Sequence, residues 1–522
     1  MKLFGHPALQ AFGAATIILL VMLAPLASPE HLEVYHLSGP ISSVLIPVLL
    51  NFVGVWFILA LLLTFTRRHP RLDACFRAVL VIALLWMLMK AWYSFHAGPV
   101  PFAANLSFAA IVLVGAAAFF ASRPRTETPL HHTTKLSATL LGFFALSGLV
   151  MLTEIFCFAW QARNLNTPLP LHHPTAATRH ARILWIVLDE LSYRQVYEHR
   201  FPGLQLPAFD QLAAQSTIFT HTIPAGIRTE VVLPSLFTGI PLDDIASPAA
   251  GVPLSLRNAS TQNWQAFDPH QTVFQDALNA GYSTGIAGWY NPYCRILPSV
   301  LDRCYWISHI QLPGAMSVDQ SILWNAKQPA LHHLPVPARW IRPVTSSLAL
   351  SPDDALHQQD YTELLAAGDK LLNDPSVSFL LLHMPIPHPF GIYNRRTASL
   401  IASHNTYIDN LALCDLYLTH LRQMLQRNGT WDQTTIVIMG DHSWRSQLWK
   451  GAPGWLPEEQ AATDGGRFDD RPGYIVKLPG QTTSARIDKP FAALRTRELF
   501  NALFAGRITT PQQLATWASQ PN

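Results

Sequence analysis

The sequence predicts two architectures in one chain: an N-terminal all-α transmembrane bundle of about five helices, then an α/β domain with a mostly parallel central sheet. Three observations predict this. The chain is 49% hydrophobic and only 13% charged, against about 25% charged in a typical soluble protein. Long apolar stretches crowd before residue 160, and after residue 181 short apolar runs alternate with segments of helical spacing. At 522 residues the chain also exceeds the roughly 250 to 300 residues at which single cores stop growing.

The bundle rests on five stretches, 9–27, 41–64, 75–95, 104–121 and 136–160. Each approaches or exceeds the roughly 17 to 25 residues that cross a bilayer as a helix. A cleaved secretory signal explains only the first, and four more follow it. The connections "TRRHPRLDACFR" and "SRPRTETPLHHTTK" are basic, whereas "SPEHLEVYHLSGP" and "FHAGPVPFAANL" contain neither Lys nor Arg. Basic loops stay in the cytoplasm, so an odd number of spans leaves everything after about residue 165 on the outer face. The expectation is a multi-pass protein of a bacterial-type inner membrane with its second half extracytoplasmic. A net charge of +3 with no basic stripe excludes nucleic acid as a partner.

Residues 161–180, rich in Pro, His and polar residues without apolar periodicity, read as a linker. The expected domains are therefore 1–160 in the membrane, 161–180 as tether, and 181–522 outside. In the last, "ILWIVL" (183–188), "FLLLHM" (379–384) and "TTIVIM" (434–439) are continuous apolar runs, the mark of strands buried on both faces of a parallel sheet. Between them, 207–216, 272–281 and 404–429 carry helical spacing, the last two ending at Gly. Alternation of this kind implies an α/β layer structure. Cys294 and Cys304 flank a short outer loop, where a disulfide or two buried thiols are both open; Cys414 lies in an apolar helical pattern and reads as core.

Ligands of open α/β sheets gather beyond the carboxyl ends of the strands. Asp189 and Glu190 follow the first run, Asp441 and His442 follow the third, and His383 and His388 lie within and after the second. Each group alone has a plainer explanation, a helix cap for the acid pair or a polar turn for "GDHS". Together, carboxylates and imidazoles from separate strands form the ligand set of one divalent metal, Zn²⁺ if histidine dominates and Mn²⁺, Mg²⁺ or Ca²⁺ if oxygen does. In "AGIRTEVVLPSLFTG", Pro234 is tolerated only near a helix start, which places Thr229 at or beside that start. Thr229 is either an ordinary N-cap or a hydroxyl aimed at an anion on the helix N-terminus, where a metal would make it a nucleophile. Arg228 and Arg445 are either phosphate clamps or surface residues, and Trp289, Trp444 and Trp449 either line a headgroup cleft or simply pack.

The motifs "WIVLDELS", "LPAFDQLAAQSTIFTHT", "RTEVVLPSLFTG", "HMPIPHPF", "IVIMGDHS" and "YIVKLPGQ" resemble, in their order, the alkaline phosphatase and sulfatase superfamily over roughly residues 181–505. With the N-terminal spans added, the chain looks like the lipid A phosphoethanolamine transferases, the lipoteichoic acid synthases and, most of all, membrane sulfatase-like proteins. The resemblance implies that Thr229, five residues before Pro234, is both nucleophile and metal ligand. It implies Glu190 as the acidic ligand by analogy with the transferases, or both Asp189 and Glu190 by analogy with soluble sulfatases. Asp441 and His442 complete the set, while His388 and then His383 resemble histidines that contact the transferred group or protonate its leaving group. Two departures bear on the reaction. The Cys/Ser-x-Pro-x-Arg motif that matures to formylglycine is absent, and so is a complete Asp-x-x-x-His set for a second metal.

The functional expectation is a membrane phosphotransferase or hydrolase with one divalent metal. It would take a phospho-substituent from a membrane lipid onto Thr229 and pass it to a glycan or glycolipid acceptor. The alternatives are hydrolysis of sulfuric or phosphoric esters at the membrane surface, and a non-catalytic scaffold that retains the fold.

Overall fold

Six apolar side chains in succession, Ile183–Leu188, form strand β1, and all six are buried because the sheet is covered on both faces. The other strands of the central sheet are β2 (Thr217–Phe219), β3 (Thr284–Trp289), β4 (Arg303–Ile307), β5 (Phe379–Met384), β6 (Thr435–Met439), β7 (Tyr474–Lys477) and β8 (Ala485–Ile487). This computed structural model describes residues 5–19, 32–96, 102–121, 128–172, 180–309, 321–332, 352–452 and 454–520. Their spatial order is β8-β2-β7-β6-β1-β5-β3-β4, parallel throughout except at β7, which runs against both neighbours.

The three continuous apolar runs are the three central strands. β1 lies between β6 and β5, with Val187 opposite Met439 on one side and His383 on the other. Their carboxyl ends therefore finish level, and the residues that follow them meet. Trp185 anchors the layer beneath through ring contacts with Phe237, Phe379 and Phe500. At the end of β6 a Cβ on Gly440 would fall 2.7 Å from the Leu191 carbonyl oxygen, so only glycine lets the β6 and β1 turns close on each other.

The helix Tyr407–Arg427 starts three residues later than the helical spacing from 404 suggests, because Thr406 forms a capping box with Asp409 and residues 399–405 form a strand. Cys414 is buried in that helix, as expected. Cys294 and Cys304 form a disulfide.

The chain divides into two compact units, and Asn166–Ile310 and Pro337–Asn522, with the short segment Tyr35–Ser38, make up the one just described. The other comprises Met1–Val34, Gly39–Leu165 and Gln311–Val336. In it, Ser42–Thr66, Pro70–Met89 and Leu130–Ala162 are long and apolar enough to cross a membrane, and Pro7–Ile18 and Ala104–Gly115 are shorter apolar helices. Ser42–Thr66 leaves Leu50, Phe57, Ile58 and Phe65 exposed, a pattern suited to lipid rather than water. The one buried ion pair among its described residues, Arg77 with Asp73, is also bonded to Gln10 and Thr66, the pairing that ionisable groups would need if this helix crosses a membrane. Residues 20–27 of the first apolar stretch and 173–179 of the expected linker lie outside the described residues.

Candidate active site and metal centre

The turn after β1 separates the two acids that sequence places side by side. Glu190 takes φ 64°, a left-handed conformation that costs a non-glycine residue of order 1 kcal/mol or more. Its neighbours hold it there. The Glu190 amide donates to Asp441 Oδ1 (3.0 Å) and its carbonyl accepts from the Tyr407 hydroxyl (2.8 Å). The carboxylate accepts from Arg445 through Nε (2.7 Å) and the backbone amide (3.0 Å), and from Trp449 Nε1 (3.0 and 3.1 Å).

Asp189 has a different environment. Its Oδ2 lies 3.2 Å from Thr229 Oγ1 and 3.5 Å from His383 Nε2, and its Oδ1 is buried without a hydrogen-bond partner. Burial, then the charge of Asp441, pushes the Asp189 carboxyl well above the usual carboxylate range.

Thr229 is the first residue of the helix Thr229–Thr238, with Arg228 as its cap. Pro234 is tolerated six positions in, since its missing N–H deprives only the first turn of a bond. The Thr229 hydroxyl donates to Asp441 Oδ2 at 2.7 Å and lies 3.3 Å from His442 Nε2. One hydroxyl hydrogen cannot serve Asp189 and Asp441 at once. Burial opposes ionisation of Asp441, yet the adjacent His442 imidazole and the hydrogen bonds from Thr229 and the Glu190 amide hold it below the usual range.

Three carboxylates, Asp189, Glu190 and Asp441, are thus fully buried around one guanidinium, Arg445. A cation bound among them would offset the cost of burial and hold all three in the charged form. Asp189, Glu190 and His442 each present a ligand atom within 4.8 Å of the others. Asp441 Oδ2 is 3.0 Å from His442 Nε2. Together with the unpartnered oxygen of Asp189, this donor set fits a divalent cation of the kind held by mixed oxygen and imidazole ligands.

The two histidines from β5 and its following loop differ. His383 is buried, its Nδ1 bonded to the Tyr293 hydroxyl (2.7 Å) and its Nε2 unpartnered; burial lowers its pKa to about 4, so it is neutral. His388 sits at the rim, its side chain 19% exposed and its Nε2 4.0 Å from Glu190 Oε1. Trp289, Trp449 and His357 surround its ring, and burial followed by the His357 and Arg445 charges holds it well below its ordinary pKa.

Several side chains singled out in the sequence have other partners. Arg445 lies mostly buried against Glu190, to whose carboxylate its Nε donates, and its Nη1 donates to the Ile227 carbonyl (3.1 Å). Arg228 pairs with Asp244 (2.9 Å) on the exposed side of the loop. Trp444 stacks on Tyr407 at 4.0 Å as packing, and Trp289 Nε1 donates to Asp360 (2.6 Å). Sequence reasoning missed the residues just after β3. There Asn291 is buried and donates from Nδ2 to the Thr229 carbonyl (3.3 Å), and Tyr293 holds His383.

The sulfatase family model matches residues 181–469. No protein of curated function matches. Among solved structures, the chain is similar to Ps i-CgsB (19% identity, TM-score 0.40, covering 64% of this chain and 74% of that one). It is also similar to the phosphonate monoester hydrolase of Agrobacterium radiobacter (14%, 0.37, 62% and 74%). A third is the lipoteichoic acid synthase LtaP from Listeria monocytogenes (15%, 0.37, 66% and 78%). With more than half its length matched by that family model and an acid- and histidine-lined site at the ends of its parallel strands, the chain belongs to the sulfatase family and is an enzyme of the sulfatase-like class.

Proposed function

We propose that this enzyme transfers a phospho-substituent from a membrane lipid through a covalent phosphothreonine at Thr229, with one divalent metal. The observation that carries the reading is the Thr229 hydroxyl, buried at the first position of a helix and within 3.3 Å of Asp189, Asp441 and His442. Asp189, Asp441, His442 and Thr229 itself would hold the metal. Glu190, grouped with Asp189 and His442, would be a further ligand, its oxygens also accepting from Arg445 and Trp449. When bound, the cation would lower the pKa of the threonine hydroxyl and offset charge on the phosphoryl oxygens.

The chain's own groups do the rest. Asp441 Oδ2 receives the Thr229 hydrogen bond and so stands ready to take its proton as Oγ1 attacks phosphorus. The bond from phosphorus to the glycerol oxygen breaks, that oxygen leaves as the diacylglycerol hydroxyl with one proton, equal to the one Asp441 took, drawn from water, and His388 at the rim is placed to hydrogen-bond it. The amides at the start of the Thr229 helix and its dipole favour the phosphate. An acceptor hydroxyl of a glycan or glycolipid then attacks the phosphothreonine and frees Oγ1. Helices able to span a membrane would keep the domain at the lipid surface, raising the effective donor concentration. The absence of the formylglycine motif supports threonine as nucleophile.

The test is incubation of purified protein with labelled phosphatidylethanolamine or phosphatidylglycerol. Diacylglycerol release is expected. Membership of the sulfatase family favours a second reading, ester hydrolysis by water, and release of the whole headgroup as free phosphoethanolamine or glycerol phosphate, with none passed to an added glycan or glycolipid acceptor, would establish that instead.

A further inference from the structure

A segment far from the rest of the catalytic unit in sequence is built into it. Tyr35, His36 and Leu37 are each at most 5% exposed, and Tyr35–Ser38 belongs to the same compact unit as the site. The segment is tied down along its backbone: the buried Arg295 guanidinium donates to the carbonyls of Tyr35 (3.2 Å) and Leu37 (2.8 Å) and to Asn166 Oδ1 (2.6 Å). Ser38 Oγ donates to the Ser308 carbonyl (3.1 Å).

His36 meets Tyr290, the neighbour of Asn291, in two ways. Its ring stacks on Tyr290 at 3.8 Å, and its Nδ1 lies 3.0 Å from the Tyr290 carbonyl. A carbonyl only accepts, so Nδ1 carries the proton and His36 donates. Tyr290 needs such support. Its φ is 70°, an unfavourable left-handed conformation for a bulky side chain, opposed otherwise by its amide bond to Ile307 O (3.0 Å). The next residue is Asn291, whose Nδ2 donates to the Thr229 carbonyl. The peptide that His36 grips is thus the one that aims Asn291 at the first turn of the Thr229 helix.

We propose that Tyr35–Ser38 is a positioning strap of the active site, with His36 as the residue that locks the Tyr290–Asn291 turn and, through Asn291, the placement of Thr229. His36 touches neither the candidate ligands nor Thr229 and is a positioning residue only. Misplacement of a reacting group by about 1 Å costs up to roughly a hundredfold in rate. Four residues beyond the strap, the chain enters Ser42–Thr66, one of the candidate spans.

The inference rests on Thr229 as nucleophile, and the experiment separates the two. Full-length protein in detergent is assayed with bis(p-nitrophenyl) phosphate, alongside bound-metal content and melting temperature, for Thr229→Ala, His36→Ala, His36→Phe and His36→Asn. The expectation for His36→Ala is a kcat about tenfold or more lower, with KM within about twofold and metal content unchanged. His36→Asn, which restores a donor near the Nδ1 position, should recover more of kcat than His36→Phe, which restores only the ring. Wild-type kcat in His36→Ala with Thr229→Ala inactive would overturn the strap alone. Full activity in Thr229→Ala would overturn the nucleophile and the strap together. A loss in His36→Ala matched by lost metal and not recovered by Asn would reduce the strap to packing, and also overturn it.

Discussion

Thr229 Oγ1 donates to Asp441 Oδ2 across 2.7 Å, joining the first residue of a helix to the turn that follows strand β6, 212 positions apart in sequence. Around that bond lie a candidate cation site, the Arg445–Glu190 clamp and the proposed nucleophile, each open to measurement.

If one divalent ion neutralises the buried acids, its removal must cost stability as well as activity. A ligand present at about 100 times its Kd stabilises a fold by about 2.7 kcal/mol. Chelation is therefore expected to lower the melting temperature of the catalytic domain and abolish turnover, and elemental analysis should return one equivalent per chain. Asp441→Asn should melt at the chelated temperature with or without added metal. An unchanged melt on chelation would remove the cation from the account.

Arg445 is the one guanidinium on the Glu190 carboxylate, and Glu190 is fully buried. Deleting one partner of a buried pair costs roughly 3 to 5 kcal/mol because the other charge is stranded. Arg445→Met is expected to destabilise by about that amount in denaturant titration, and Arg445→Met with Glu190→Gln by clearly less. Equal losses in the single and double variants would show that the clamp is not the source.

Glu459 supplies a pH dependence away from the metal site. Its oxygens accept from the amides of Tyr407 and Leu456, yet burial, the largest influence, raises its pKa to about 7. The folded chain then binds this proton more tightly than the unfolded chain. The protonated form is favoured by folding, so its contribution to stability is fully present below the ordinary value near 4.5 and is lost as pH rises to about 7. The slope approaches ~1.4 kcal/mol per pH unit inside that window. Urea titrations from pH 4.5 to 7.5 should show Glu459→Gln falling less with pH than wild type, whatever its absolute stability. Parallel curves would contradict this.

What the sequence disclosed, and what it hid, follows from local against tertiary causes. Asp189, Asp441 and His442 were legible because unbroken apolar runs mark β1 and β6 as doubly buried, and Thr229 because Pro234 confines the helix start. The end of β3 was not legible, because Gly285 and Gly288 interrupt its apolar run. Gly288 is there for packing: a Cβ would fall 2.3 Å from the Tyr293 ring. Strand β7 gave no sign of running antiparallel, since direction depends on its neighbours. The resemblance pointed to Glu190 ahead of Asp189; the structure brings both, with His442, into one group of possible ligands, the left-handed turn at Glu190 setting its carboxylate against Arg445 and leaving Asp189 beside Thr229. No local signal encodes that turn, because the bonds that hold it come from residues more than 200 positions away. Of the two histidines, His388 lies at the rim 4.0 Å from Glu190, and His383 is buried 3.5 Å from Asp189.

The central claim is a covalent phosphothreonine, and intact mass spectrometry of the full chain after exposure to membrane lipids tests it most directly. The account predicts an added mass equal to the headgroup phosphate, mapped to Thr229 by fragmentation and missing from Thr229→Ala. Turnover of lipid with no adduct on Thr229, even under rapid acid quench, or an adduct that persists in Thr229→Ala, would contradict it.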